Sequence, residues 1–471
     1  MSGRRIRFLD LRPLRTSRPF RALWIGASLG SAGHQIATVA VLAQVWELTR
    51  SPLWTGAIGL ATAGPALVCG LAGGSLADAM DRRTLVRATT AVHLLAALAL
   101  LGQALAGNRS VLLLLALVGA AAGASALGAP ARRTFPVRLL PSDQLAAGLA
   151  LQGMAFQVSM LAGPALAGLL LARWDFPAAY GCQAAALLVS LAVTFRLPPM
   201  PVDGGRPAAG GAPAAASGGR VRRRPERGGW GFVLRRPTLW GSFATDLSAT
   251  LLAMPISLFP LVNEARFDGD PRTLGLFLSA VAVGGITAGL FSGTVTRLRR
   301  AGLVQLTAAL VWGLALAVFG LAGPLWLALG ALAVAGGADT ISVVTRGALV
   351  QLETPDRYRG RVSSVEHIIG MAGPEAGNFR GGLVASLTSA PVALVTGGLA
   401  GAVAVGVVAA VNRPLRSYTL PEPEPEPDAE QAPPGKPDPA PDTDTDPNTG
   451  THAGRRPEPG AAPEAAPEPA P

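Results

Sequence analysis

Apolar runs of roughly 20 residues or more recur along the chain, separated by short polar or arginine-bearing connections. A helix rises about 1.5 Å per residue, so roughly 20 residues are needed to cross the ~30 Å hydrocarbon core of a bilayer. In lipid only helices and closed barrels satisfy their own backbone hydrogen bonds, and these runs lack the alternation of a barrel strand. The pattern predicts twelve membrane-spanning helices, at approximately 21–47, 53–77, 84–106, 110–131, 143–172, 177–196, 237–263, 272–296, 301–322, 324–347, 361–388 and 391–411. The first run is too long for a signal-peptide core and lacks a small-residue cleavage site, so it is expected to stay as the first span.

Arginine divides the connections into two classes. The even ones carry Arg82 and Arg83, then Arg132, Arg133 and Arg138, then Arg297, Arg299 and Arg300, then Arg357, Arg359 and Arg361. The odd ones carry scattered cases such as Arg50, Arg109, Arg173 and Arg266. Arginine favours the cytoplasmic side, which predicts an even span count with both termini in the cytoplasm. Five regions follow: a basic cytoplasmic N-terminus (1–20), a first six-helix bundle (21–196), a cytoplasmic linker (197–236), a second six-helix bundle (237–411) and a tail (412–471). Arg220, Arg222, Arg223 and Arg224 in the linker suit the anionic inner leaflet. The tail is acidic and proline-rich and reads as a disordered cytoplasmic extension, passive or regulatory.

The two bundles echo each other. Arg132 precedes Pro141 by the interval that separates Arg346 from Pro355, and Gly163-Pro164 is matched by Gly373-Pro374. Gly74 to Asp78 after the second span corresponds to Gly293 to Arg297 after the eighth. Nearly one offset relates all three pairs, which indicates a duplicated six-helix unit built around a central pathway. The fold class predicted is therefore an all-α membrane protein with two pseudo-symmetric six-helix bundles.

Composition agrees with this picture and removes alternatives. Half of the 471 residues are hydrophobic and 15% are charged, too few charges to cover a soluble protein of this length. The net charge of +11 sits in short segments between apolar runs, without a basic stripe interleaved with aromatics, so no nucleic-acid partner is expected. Cys69 and Cys182 both lie in apolar runs as small packing residues, and neither a disulfide framework nor a metal site is expected. No Walker loop, His-Glu-x-x-His helix or Ser/His/Asp constellation stands out, which argues against a membrane-embedded enzyme and against a cofactor.

Polar groups inside spans are costly, about 2.5–3.5 kcal/mol for a central charge on insertion scales, so each asks for an explanation. His34, His93, Asp246, Asp339 and Glu375 fall near mid-bilayer. His34, Asp246, Asp339 and Glu375 are groups able to gain and lose a proton, as proton coupling needs. The bland alternatives are equally concrete: Asp246 and Asp339 can pair with arginine or cap a broken helix, and Glu375 can pair with Arg380 one or two turns away. His93 reads as a hydrogen-bonded packing residue, and Gln44, Gln152 and Gln157 as helix-to-helix bonds or substrate contacts.

Gly73-Gly74-Ser75-Leu76-Ala77-Asp78-Ala79-Met80-Asp81-Arg82-Arg83 resembles the hallmark loop of the major facilitator superfamily. The resemblance assigns Gly74 to close helix approach and Asp78, with Arg82 and Arg83, to a cytoplasmic gating latch. Ala79 stands where the family usually has arginine, and a topogenic charge cluster is the alternative reading. Gly163-Pro164, followed by the small residues up to Gly168, resembles the antiporter motif of exporters, in which proline bends the helix and small residues let helices meet. Pro130 to Pro136 with Leu140 to Asp143, and Gln351 to Val362 with its Gly360-Arg361-Val362, resemble loops of the twelve-span drug–proton antiporter branch. That branch includes enterobactin-exporter-like and macrolide-efflux-like proteins, also called transmembrane secretion effectors. The resemblance covers about residues 20–411. It implies that spans one, four, seven and ten line the cavity and that Arg346 and Arg361 serve cytoplasmic latching, joined by Glu366 and His367. Relatives often carry aspartate where this chain has His34, which moves the expected coupling role toward Asp246, Asp339 and Glu375.

The function expected is secondary active export by alternating access in the cell membrane, driven by protons, by a monomer with lipid and a small-molecule substrate as partners. A siderophore or related secondary metabolite is the leading cargo, with drug or macrolide efflux as the alternative. A transport-dead receptor or assembly scaffold is the rival of a different class.

Overall fold

The computed structural model describes residues 10–198, 229–291 and 300–419. Two compact units divide the chain, Met1–Pro421 and Glu422–Pro471. The second unit lies outside the described residues, and with it most of the predicted acidic tail. So do residues 1–9, most of the linker, and Arg297 and Arg299.

Twelve crossings, with four short helices outside them, make up the helical part of the described chain. They are α1 (Arg18–Thr49), α2 (Pro52–Ala79), α3 (Arg82–Leu105), α4 (Val111–Arg133), α5 (142–174), α6 (176–196), α7 (Pro237–Arg266), α8 (Pro271–Leu290), α9 (Ala301–Leu321), α10 (Leu325–Glu353), α11 (Asp356–Leu387) and α12 (Ala390–Val411). Among the described residues, ten helices are long and apolar enough to span a bilayer by length and composition. One of these, Ser142–Arg196, is two crossings, because Asp175 breaks it with φ 66°. The carboxylate of Asp175 accepts the Phe176 N–H at 2.8 Å, and Pro177 begins the return. Asp356–Leu387 is long enough but more polar than the others. No strand occurs among the described residues.

Local chemistry sets the ends. Ser17, Asp81, Ser110 and Ser389 accept N–H groups of the first turns of α1, α3, α4 and α12, and Pro stands in the first turn of α1, α2, α7, α8 and α12. At the basic end the segment before α11 is almost wholly helical. α10 runs to Glu353 and α11 starts at Asp356, where the sequence pattern places a loop from 348 to 360. Polar residues hide a helix from a hydropathy reading once the helix extends beyond the bilayer.

The packing is duplicated. α1 lies along α5 and α6, α2 along α4, and α3 against α4 and α6; in the second half α7 lies along α11 and α12, α8 along α10, and α9 against α10 and α12. Glycines mark the equivalent contacts: Gly163 of α5 seats on Ala32 and Gln35 of α1, and Gly373 of α11 seats on Thr250 of α7. Buried polar pairs repeat as well. Gln44 of α1 and Gln103 of α3 exchange hydrogen bonds at 3.2 and 3.0 Å, while Gln305 of α9 accepts from Ser242 of α7 at 2.9 Å. Tyr180 of α6 donates to Gln44 at 2.7 Å, so this glutamine is a bond between helices. Each half thus forms one six-helix bundle.

α7 breaks after Ala253, at Met254-Pro255, before resuming as Ile256–Leu258 and Phe259–Arg266. The break leaves carbonyls of the first segment without intrahelical partners. Arg380 of α11 fills this need: its Nε donates to Leu251 O at 3.0 Å and its Nη2 to Leu252 O.

Candidate functional site

A cavity of about 770 Å³ runs along the axis between the halves. Arg133 and Ala129 line it nearest the arginine-rich end of the helices, His34, His93, His367 and Met371 line its middle, and Thr55, Ser257, Glu375 and Asn378 lie toward its far end. α1, α2 and α4 supply most of the wall. His34 and His93 meet edge to face with ring centroids 6.5 Å apart, so the span-three histidine reaches the cavity beside its span-one counterpart.

The far end is sealed by two seams between the halves. In one, α5 meets α8: Gly275 seats on the Pro164 carbonyl, Gly168 seats on Pro271 and Arg272, and Ser279 donates to Leu161 O at 2.8 Å. In the other, α2 meets α11: Gly56 seats on Asn378 and Phe379, Gly382 on the Pro52 carbonyl, and Gly59 on Glu375. Missing side chains let the backbones approach this closely, the packing used between membrane helices in general. Beyond the seams, Glu264 of α7 receives both the Trp46 indole N–H of α1 and the Arg50 guanidinium at the start of the α1–α2 connection.

The predicted coupling residues separate into two places. His34 and Glu375 line the cavity. Asp246 and Asp339 do not appear in its lining: Asp246 of α7 forms an ion pair with Arg346 of α10, each 6% exposed. Glu366 of α11 adds a second carboxylate 3.6 Å from Arg346 Nε, and Asp339 stands within electrostatic reach of both Asp246 and Arg346. Glu375 is not paired with Arg380, whose guanidinium caps α7. Its hydrogen-bonding neighbour is Asn378, which also accepts the Ser257 N–H at 3.2 Å. Among the described residues no ion pair involves Glu375.

At the arginine-rich end the hallmark segment is partly visible. Asp78 ends up within α2, and its side chain lies outside the described residues. Gly74 faces open space, and the close approach is made by Gly73, seated on Leu127 of α4. Arg82 begins α3. Arg83 donates to the carbonyls of Thr194 at 3.3 Å and Phe195 at 2.9 Å, capping the last turn of α6. Gly360 lies in the first turns of α11, and the Arg361 guanidinium sits 5.6 Å from the Tyr358 ring centre. His367, grouped with the latch by sequence, lines the cavity instead.

Sequence reasoning did not single out Glu264, Gly59 or Gln183. Glu264 sits in a polar helix end that looks like ordinary loop chemistry. Gly59 is one of 58 glycines, and no local pattern distinguishes it. Their contacts come from residues far away in the chain.

Comparison with known proteins follows the same lines. The sequence profile described as transmembrane secretion effector matches residues 10–434. The enterobactin exporter EntS of Shigella boydii serotype 18 is 26% identical over 407 residues, 85% of this chain and 93% of the relative, and that of Escherichia coli O139:H28 is equally similar. Among solved structures, the nucleoside transporter NupG superposes with a TM-score of 0.64 at 12% identity, covering 84% of this chain and 98% of that one. A bacterial homologue of the iron transporter ferroportin superposes with a TM-score of 0.62 at 16% identity, covering 85% and 99%.

Proposed function

Because the chain belongs to the transmembrane secretion effector family of the major facilitator superfamily, we propose that this membrane transporter is a proton-coupled exporter of a siderophore or related secondary metabolite. It works in the cytoplasmic membrane as a monomer, with the arginine-rich end, both termini and the linker on the cytoplasmic side. The conformation described here is then inward-facing, with the cavity mouth at Arg133 open for loading and the two glycine seams closed on the outer side.

One observation carries the coupling assignment: Glu375 lies at the boundary between cavity and seam, against Gly59, with no cation paired to it among the described residues. Protonation removes a charge from the α2–α11 seam and deprotonation restores it, so the protonation state of one carboxyl group acts directly on the surface that opens and closes. Asp246 supports a different role. Its charge is already matched by Arg346, an arrangement that holds α7, α10 and α11 together near the arginine-rich end.

The test uses the purified protein in proteoliposomes, with substrate taken from the metabolites that a deletion strain fails to export. Glu375→Gln should lower proton-driven net export by on the order of tenfold while substrate exchange, which needs no proton cycle, continues. Full proton-driven export by this variant would remove Glu375 from the coupling role. Normal export of every metabolite by the deletion strain would remove the exporter reading itself.

A further inference from the structure

The cavity wall has a chemical bias that limits what it can hold. No Phe, Tyr or Trp occurs among the described residues that line it. The chain has 14 Phe, 8 Trp and 3 Tyr, and Phe8 apart, every one lies in the described part. Their places are elsewhere: Phe259, Phe277 and Phe319 form a cluster with ring centroids 5.4–5.5 Å apart, Tyr180 is bonded to Gln44, and Trp46 is bonded to Glu264. Flat ring systems are gripped by offset or edge-on contact with such side chains. This wall offers them only His34, His93 and His367.

Among the polar groups of this largely apolar wall, several are free to act as hydrogen-bond acceptors. Thr38, Thr55 and Thr62 donate their hydroxyl protons to carbonyls of their own helices, at 2.8–3.1 Å, which leaves oxygen lone pairs for a ligand. Gln183 is 3% exposed and lines the cavity, yet its Oε1 accepts no hydrogen bond among the described residues. A buried acceptor left unpaired costs free energy, about 1–3 kcal/mol by mutational measures, and a donor brought by a ligand recovers it. Glu375 adds a carboxylate acceptor toward the far end, while Arg133 adds a cation at the arginine-rich end.

We propose that the cavity takes a flexible, non-aromatic, amine-bearing ligand rich in N–H and O–H donors, with its amine toward Glu375 and its acceptor end toward Arg133. The proposal rests on the transporter reading above and names the substrate class of that same cavity. It also joins binding to coupling, because an ammonium group and a proton compete for one carboxylate.

Desferrioxamine B is a suitable probe, a linear aliphatic trihydroxamate with one terminal amine. Its N-acetyl derivative removes the charge, and a tris-catecholate of similar mass supplies aromatic rings. Binding of each to the purified full-length protein is measured by titration calorimetry. Desferrioxamine B should bind most tightly, and N-acetylation should weaken it roughly tenfold. Glu375→Gln should abolish the difference between the amine and its acetylated form, while Glu375→Asp, which keeps the carboxylate, should preserve it. Gln183→Leu should weaken both aliphatic probes. Tighter binding of the catecholate, equal affinity for the two aliphatic forms in the unmutated protein, or no binding of desferrioxamine B would each overturn the proposed ligand class. Export by the deletion strain decides the exporter reading separately, whichever way the titrations fall.

Discussion

At the scale of single residues, buried charge is where the sequence and the structure meet most directly. A carboxylate in an apolar run signals either a working group or an ion pair, and the run itself does not say which. Asp246 is ion-paired in this structure, with Arg346 a hundred residues later as its partner. The repeat offset singled out Arg346 beside Pro355, but nothing local aims its guanidinium at Asp246. Removing one member of a buried pair leaves the other uncompensated, at about 3–5 kcal/mol. Asp246→Asn should therefore lower folded yield and melting temperature and reduce exchange and net export together. Asp246→Asn with Arg346→Gln should recover much of the folded yield, because no lone charge remains. Selective loss of proton-driven export in the single variant, at normal yield, would instead return Asp246 to the coupling role. Arg380 teaches the same lesson with the roles exchanged: a cation spaced suitably for Glu375 on its own helix is drawn to the free carbonyls of broken α7, where it satisfies two acceptors at once.

At the scale of helices, existence and order were legible because hydropathy has a physical length scale, the thickness of the bilayer. Arg236-Pro237, Asp270-Pro271 and Ser389-Ala390-Pro391 are start signals that capping chemistry explains, and the helices begin there. Helix that carries polar residues was not legible, as the first turns of α11 show. Neither was helix contact. Gly163, Pro164 and Gly168 were singled out as one motif, yet they face two partners: Gly163 packs within its own half on α1, whereas the Pro164 carbonyl and Gly168 face α8 across the seam. Side chains added at the seam should therefore act differently from side chains added within a half. Gly275→Leu would place a side chain against the Pro164 carbonyl, so the closed far end should be disfavoured by about 1–3 kcal/mol, the usual cost of overpacking. A cysteine at Thr55, introduced after Cys69→Ser and Cys182→Ser, reports on this by its labelling rate with a water-soluble thiol reagent applied at the outer face. Gly275→Leu should raise that rate several-fold at unchanged folded yield. An unchanged rate would mean that the α5–α8 seam does not control the opening.

At the scale of the whole molecule, the duplication read from Arg132 and Arg346 and from the two Gly-Pro pairs appears as matched packing in the two bundles. The proposed orientation rests on arginine counts, and a cysteine at Ser217 tests it: in intact cells, in the same cysteine-free background, it should resist impermeant external reagents, and ready labelling would invert the assignment. The relation between the halves is the part that no sequence pattern reveals, because it is carried by a few residues at one end. Glu264 belongs to the second half, Trp46 and Arg50 to the first, and all three meet beyond the glycine seams. An exposed ion pair contributes little to stability, about 0–1 kcal/mol, so its removal should leave folding intact. Its position gives it a different leverage, since the two halves must part there for the far end to open. Arg50→Cys combined with Glu264→Cys, in the background lacking Cys69 and Cys182, permits a short bifunctional thiol crosslink across that end. Crosslinking should stop export and external release, while substrate still binds from the arginine-rich side, and reduction with dithiothreitol should restore turnover if the linker contains a disulfide. Export that continues at full rate with the crosslink in place would show that the far end does not have to part at this point, and with it the alternating-access scheme drawn from the two seams would fall.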